Sequence, residues 1–548
     1  MSLNEKQQDR KEAAVLEATD GSSVSIEQPT AGLINASGHV QELQRHFSLL
    51  SLCSVAITTG NTWVAIGGGI VIAIYNGGPP GVIYELIAVS VFYWLIALSI
   101  AELASSMPSS SGVYHWASIT AGKYGRPCGY FAGWWNFLAW VFGAASISSI
   151  LANQTVSMYA LFHPEFVAKS WHVFISYLIC TWLCCLTVLF GNRALPMVGN
   201  LGGFLIIAGV LVCIIVCVVM PKVNGLPYAS HDFVWSDWQN LTGYKENGFV
   251  FVAGMLNGAF AVGSPDCVTH LAEEIPNPSR NIPKAMFAQY SIGFVTALCY
   301  IIALFYSIQD LDEIFELTST FPLAYIYRQA TGSNPGAVGL LVVTFLPTFI
   351  TCIGCYITAG LVTFLPTFIT CIGCYITAGR TFWTLSRDNA TPFSKTFAKV
   401  HPTFQNPFNA TLMCGAINTV MGCIYVGSEI AFNAFVGAYI ILSTLSFLCA
   451  ILPHLLSRRR NVTPGWFWMS GYIGFIVNAV ACLYIIAFIV IFCIPYGAPF
   501  SIDVMNWSSL ITGGLTLFVA AFWFWRQSEY IGPQAVALDD KILAKDAT

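Results

Sequence analysis

From residue 48 to residue 525 the chain strings together about twelve apolar runs, each near the ~20 residues that cross a ~30 Å hydrocarbon core. Spans are expected at roughly 48–74, 81–103, 128–155, 172–190, 196–220, 249–272, 285–307, one region within 338–379, then 409–426, 430–452, 467–494 and 507–525. None alternates with period two. In lipid only helices and closed barrels satisfy every backbone group, so the expected fold class is all-α and multi-pass. Composition agrees, because only 9% of the 548 residues are charged, against about 25% in a soluble domain. That leaves too little charge to cover a water-facing surface, and the lipid bilayer is an expected partner. The eighteen cysteines mostly sit singly in apolar runs, where a thiol acts as a small buried hydrophobe, so no disulfide scaffold is expected.

Residues 1–46 and 527–548 are polar and read as solvated tails flanking a membrane domain over 47–526. The first tail has no apolar core and does not read as a cleavable signal peptide. Lys and Arg placement sets the orientation. With the N-terminus cytosolic, nineteen of the 23 fall inside and only Lys169, Lys222, Lys245 and Arg328 outside. Both termini are therefore expected in the cytosol.

One stretch repeats literally. TFLPTFITCIGCYITAG occupies 344–360 and again 363–379, preceded by Val343 and Val362. Reading the copies (343–360 and 362–379) as two separate crossings would flip everything after them and leave fourteen cations outside against nine inside. A single crossing is expected, with the duplicate a tandem copy of span eight. The second copy, joined directly to GRTFWTLSRDN, is expected to serve as the span, with the first displaced outward, unless the duplication arose in sequence assembly. The Cys352/Cys355 and Cys371/Cys374 pairs mimic zinc spacing, but one continuous helix would hold them about 28 Å apart. Zinc needs four sulfurs at ~2.3 Å, so no metal is expected.

Two spans carry a polar, flexible centre. Span one has Thr58, Thr59, Gly60, Asn61 and Thr62, and span six has Phe260, Ala261, Val262, Gly263, Ser264, Pro265 and Asp266. Proline removes a helical donor. Paired interruptions five spans apart fit an inverted five-plus-five repeat with a substrate site at the midplane; packing kinks are the alternative. A carboxylate at that depth marks Asp266 as a gating or coupling group, or else as a cap at the water boundary. Glu85 and Glu102, near the ends of span two, read as interfacial. Trp134, Trp135 and Trp140, in GWWNFLAWVFG, are candidates to line a cavity and hold an ammonium, or to anchor at the interface. Near the cytosolic ends, Glu273 or Glu274 with Arg280 or Lys284, and Arg387 with Asp388, are candidate gate pairs. No P-loop, H-E-x-x-H or G-x-S-x-G motif occurs, and no basic cluster suits nucleic acid. No enzyme activity or cofactor is expected.

AELASSMPSSSGVYHW at 101–116 and AEEIPNPSRNIPKAM at 272–286 resemble the signatures after spans two and six of the amino acid–polyamine–organocation transporter superfamily. MYALFHPEF, WHVF, DCVTHLA and GFVTALCYIIALFYSIQDLD are similar to the choline-permease branch of its fungal amino acid/choline transporter family. The resemblance covers about residues 45–526. It implies a LeuT-type fold of ten core helices in two inverted repeats plus two C-terminal helices, working as a secondary transporter by alternating access. It also implies substrate contacts at Thr58–Thr62 and Phe260–Ser264, gating or pH response at Asp266, and protons as coupling ion. Two features depart from the family. The span-one break reads T-T-G-N where many relatives have G-x-G, and the literal repeat occurs once in relatives. The expected function is a plasma-membrane permease for choline or a related ammonium, GABA or another amino acid. Transport of a specialised metabolite and a permease-like nutrient sensor are the alternatives.

Overall fold

The computed structural model describes residues 47–163, 165–190, 195–316, 321–350, 369–404, 406–427, 431–501, 504–530 and 532–533. Among these, nine helices are long and apolar enough to cross a membrane, and three shorter apolar helices complete the series. The described backbone is almost wholly helical, the only strands being the two-residue pair Asn76–Gly77 and Gln239–Asn240. We number the helices that build the bundle. Span one is α1 (Leu49–Gly60) and α2 (Thr62–Gly68), and span two is α3 (Gly78–Ser106). Then come α4 (Gly125–Ala160), α5 (Ser170–Phe190) and α6 (Leu195–Val223), followed by α7 (Asn247–Val262) and α8 (Pro278–Tyr306). After α9 (Asn334–Ile350) and α10 (Ile369–Arg387) the chain runs through α11 (Phe408–Gly427), α12 (Ala431–Leu456), α13 (Gly471–Ile491) and α14 (Ser508–Arg526).

The helices sort into two packed groups. Spans one, two, six and seven pack on one another through α1–α8, α3–α7, α3–α8 and α2–α7 contacts. Against them stands a scaffold centred on α4, which touches α5, α10 and α12. α13 packs on α3 and α12, and α14 on α12 and α4, outside the core. The core between the groups is built from large side chains such as Trp63, Trp140, Tyr300 and Tyr439, all buried. Helices at the rim leave Ile215, Leu483 and Leu517 more than half exposed, as a lipid-facing surface requires.

Both expected interruptions are present. α1 ends at Gly60, Asn61 takes φ +25°, and α2 restarts at Thr62. Asparagine tolerates positive φ better than most residues. α7 stops at Val262, ten residues short of the span expected over 249–272, and a 3-10 turn follows at Thr269–Glu274. The Gly263-Ser264-Pro265 run removes helical hydrogen bonding there, as proline chemistry requires.

The repeat is only partly described. α9 takes in the start of the first copy and α10 the end of the second, so both copies contribute helix, and the two helices touch. Cys352 and Cys355 lie outside the described residues, as does the side chain of Cys371. Glu85 and Glu102 are not interfacial: both are buried. Glu102 binds Arg459 through Nε at 3.0 Å and Nη2 at 2.5 Å, with His454 Nε2 at 3.1 Å. The Glu102 partners lie over 350 residues away, so a helix end judged singly conceals them.

Candidate functional site

The two breaks face each other across a cavity of about 30 Å³. That is room for about two waters, so the conformation is closed. Thr59, Gly60 and Asn61 line it from the first break, Phe260 and Ser264 from the second, with Trp140 of α4 and Tyr439 of α12 opposite. Tyr439 stands edge-on to Trp140 at 6.0 Å between ring centroids and to Phe260 at 5.9 Å. Among the described residues no charged side chain lines the cavity. Phe260 also bounds a second cavity of about 50 Å³, which continues toward the expected outer side past Asn257, Tyr244 and Tyr496.

Other candidates point elsewhere. Thr58 returns its hydroxyl to Ser54 O at 2.5 Å, and Thr62 faces α8 next to Gly293. Ala261, Val262 and Gly263 contribute no wall. Val262 O instead accepts the Tyr290 hydroxyl at 2.7 Å, and Gly263 O that of Tyr439 at 3.1 Å. These carbonyls lost their helical donors at the break, and burial without replacement would cost ~1–3 kcal/mol each. Trp134 gives its indole N–H to Ala390 O and packs on Phe382 and Phe522, while Trp135 bonds Thr516. A helix turns ~100° per residue, so of the three tryptophans only Trp140 sits on the cavity face.

Asp266 lies just behind Trp140 and is 1% exposed. Its Oδ2 accepts from Asn136 Nδ2 at 2.6 Å and Trp140 Nε1 at 3.2 Å, and faces His270 Nε2 at 3.3 Å. His270 Nδ1 meets the Ser110 carbonyl at 3.1 Å and Thr381 Oγ1 at 3.3 Å, and that hydroxyl spends its own proton on Thr377 O. Facing two acceptors, Nδ1 must carry a proton. His270 Nε2 then faces the Asp266 carboxyl group behind Trp140.

Gln289 of α8 joins the breaks. Its Nε2 donates to both the carbonyl and the hydroxyl of Ser264 at 3.1 Å, and its side chain fills the space where a Cβ on Gly60 would stand, 2.8 Å away. Asn136, His270, Gln289, Tyr290 and Tyr439 all escape a reading of the chain by local breaks. The available signal was an amide near the start of each of two apolar spans, at 136 and 289.

Below the cavity the expected cytosolic side is shut by buried ion pairs. Arg380 binds Glu274 through Nε at 2.7 Å, and Arg387 lies 3.8 Å from Glu273. The acids match the candidate gate and the bases do not, since Arg280 and Lys284 turn instead to the Trp466 ring. Asp388 accepts the Tyr114 hydroxyl at 2.7 Å, and Tyr530 donates to the Tyr114 hydroxyl oxygen at 3.0 Å. Burial first, then the Asp388 charge, holds the Tyr114 hydroxyl well above its ordinary range, so it remains a donor.

Two broken helices around a buried site define a membrane permease. The amino acid permease family model matches residues 47–516, and the chain belongs to that family. It is similar to a choline transporter of Saccharomyces cerevisiae, 32% identical over 90% of this chain and 84% of the relative. It is also similar to a 7-keto 8-aminopelargonic acid transporter of the same yeast, at 24% over 86% and 90%. An amino-acid permease of Arabidopsis thaliana is 25% identical over 90% and 94%. The chain is a transporter of small nitrogen compounds.

Proposed function

We propose that this permease carries choline, or a closely related quaternary ammonium, across the plasma membrane by alternating access. The observation that supports the ammonium reading best is the set of three rings, Trp140, Phe260 and Tyr439, around a cavity with no charged wall. A quaternary ammonium has no N–H to donate, so aromatic faces are its natural partners, worth ~2 kcal/mol or more when desolvated. The Asp266 carboxyl group behind Trp140 adds hydrogen-bonding and electrostatic support to that ring. GABA or another amino acid brings a carboxylate that needs donors. At the first break the Asn61 N–H is already spent on Ile57 O at 2.8 Å, which leaves fewer amides to offer there. The name of the yeast choline transporter agrees with this choice.

Coupling to protons is the second part of the proposal, and the buried Asp266–His270 contact supports it, because a proton between them can sit on either group. The pair links the second break to α4 through Asn136 and to Ser110 and Thr381 below. Loss of that proton would leave the Nε2–Oδ2 contact without a hydrogen and loosen the inner closure. Both termini lie in the cytosol in this account, and transport is inward. Uptake of radiolabelled choline in yeast cells lacking their own choline uptake tests it, with GABA and amino acids as competitors and a protonophore as control. Saturable choline entry, collapsed by the protonophore, is expected. Entry of amino acids but not choline, or entry indifferent to the protonophore at fixed membrane potential, would overturn the corresponding part.

A further inference from the structure

A cavity of about 260 Å³, roomier than either of those on the transport axis, opens on the side of the bundle between α3 and α8. Its walls are Trp94, Leu98 and Ala101 of α3, Phe287 and Tyr290 of α8, and Trp466 from the connection between α12 and α13. Both helices cross the membrane, and the rim residues Phe287 and Trp466 are 63% and 54% exposed, so the mouth faces hydrocarbon. Among the described residues Lys284 is the one charge in the lining. Its Nζ lies 5.7 Å from the centre of the Trp466 ring, and Arg280 lies 5.4 Å from the same ring. Neither cation has a carboxylate partner among the described residues, because Glu273 and Glu274 are engaged by Arg387 and Arg380. An apolar slot with two unpaired cations at its interfacial end is complementary to an amphiphile with an acyl tail and an anionic head. The inner wall matters too. Trp94 and Tyr290 also border a small adjoining cavity with Thr62, Val262 and Gln289, beside both helix breaks.

We propose that this cavity seats an anionic phospholipid, with an acyl chain between α3 and α8 and its phosphate on Arg280 and Lys284. The proposal rests on the orientation that puts Arg280 on the cytosolic side, where anionic lipids concentrate. An occupied slot backs Tyr290 against Val262 O and steadies the second break. Detergent-purified full-length protein is titrated with phosphatidylserine, phosphatidylcholine or glycerol 3-phosphate while its unfolding temperature is followed and bound lipid is counted by native mass spectrometry. Phosphatidylserine is expected to raise the unfolding temperature by about 3 °C more than phosphatidylcholine, and glycerol 3-phosphate to leave it unchanged. Arg280→Gln with Lys284→Gln should abolish the difference, and so should Ala101→Leu, which fills the slot and leaves both cations in place. Equal shifts from the two lipids, a serine-lipid advantage that survives in both variants, or a full effect from glycerol 3-phosphate would each overturn the proposal. The readout needs no transport, so its failure is distinct from failure of the choline reading.

Discussion

Asp266 accepts two hydrogen bonds on one oxygen, from Asn136 and Trp140, and faces His270 Nε2 there. Replacing it with Asn keeps the shape but puts an amide against donors that need a carboxylate. Hydrogen bonds to a charged group contribute about 1.5–3 kcal/mol, so Asp266→Asn is expected to cut choline uptake roughly tenfold or more and flatten its pH profile. An unchanged rate and profile, measured at equal surface expression, removes the residue from the mechanism. Trp140→Leu tests the aromatic cage in a different way. Losing a desolvated cation–π contact of ~2 kcal/mol should raise the apparent KM for choline about thirtyfold. It also removes one of the two hydrogen bonds to Asp266, so a fall in stability of about 1.5–3 kcal/mol is expected beside it, and uptake is compared at matched surface expression.

At the scale of elements, the breaks were legible because their causes are local: Gly, Ser and Pro in span six, and a polar cluster in span one. What stabilises them was not legible, since the stabilising groups come from α8 and α12, and Tyr439 bonds Gly263 from 176 residues away. Tyr290→Phe leaves the Val262 carbonyl without its donor. It is expected to lower stability by about 1–3 kcal/mol, read as a fall in unfolding temperature of the purified protein. Trp134 and Trp135 illustrate the opposite failure, because an aromatic cluster in sequence scatters around a helix and only its cavity face serves the site. Span eight is a further case at this scale. α9 and α10 draw on the first and second copies, so deleting residues 351–369 joins Ile350 to Thr370 and rebuilds one uninterrupted copy. That variant is expected to reach the surface and transport choline at least as well as the full chain. Loss of transport in a folded, surface-expressed deletion would show that the second copy is needed.

For the whole molecule, the succession of apolar helical spans followed directly from hydropathy, whereas the buried ion pairs did not. Such a pair costs ~3–5 kcal/mol when one partner is removed. Arg380→Ala should therefore destabilise the closed form and expose Cys267, now 3% exposed beside the second break, to a membrane-permeant thiol reagent. Labelling no faster than in the unmodified chain would deny the pair a gating role. The central claim is that an aromatic cage between two broken helices makes this chain a carrier of quaternary ammonium. Side-by-side uptake of radiolabelled choline by the unmodified chain and by Trp140→Leu, at matched surface expression in cells lacking choline uptake, tests it most directly. Saturable accumulation by the first and a large loss of apparent affinity in the second are expected. No choline accumulation by the unmodified chain, or equal affinity in the two, would contradict it.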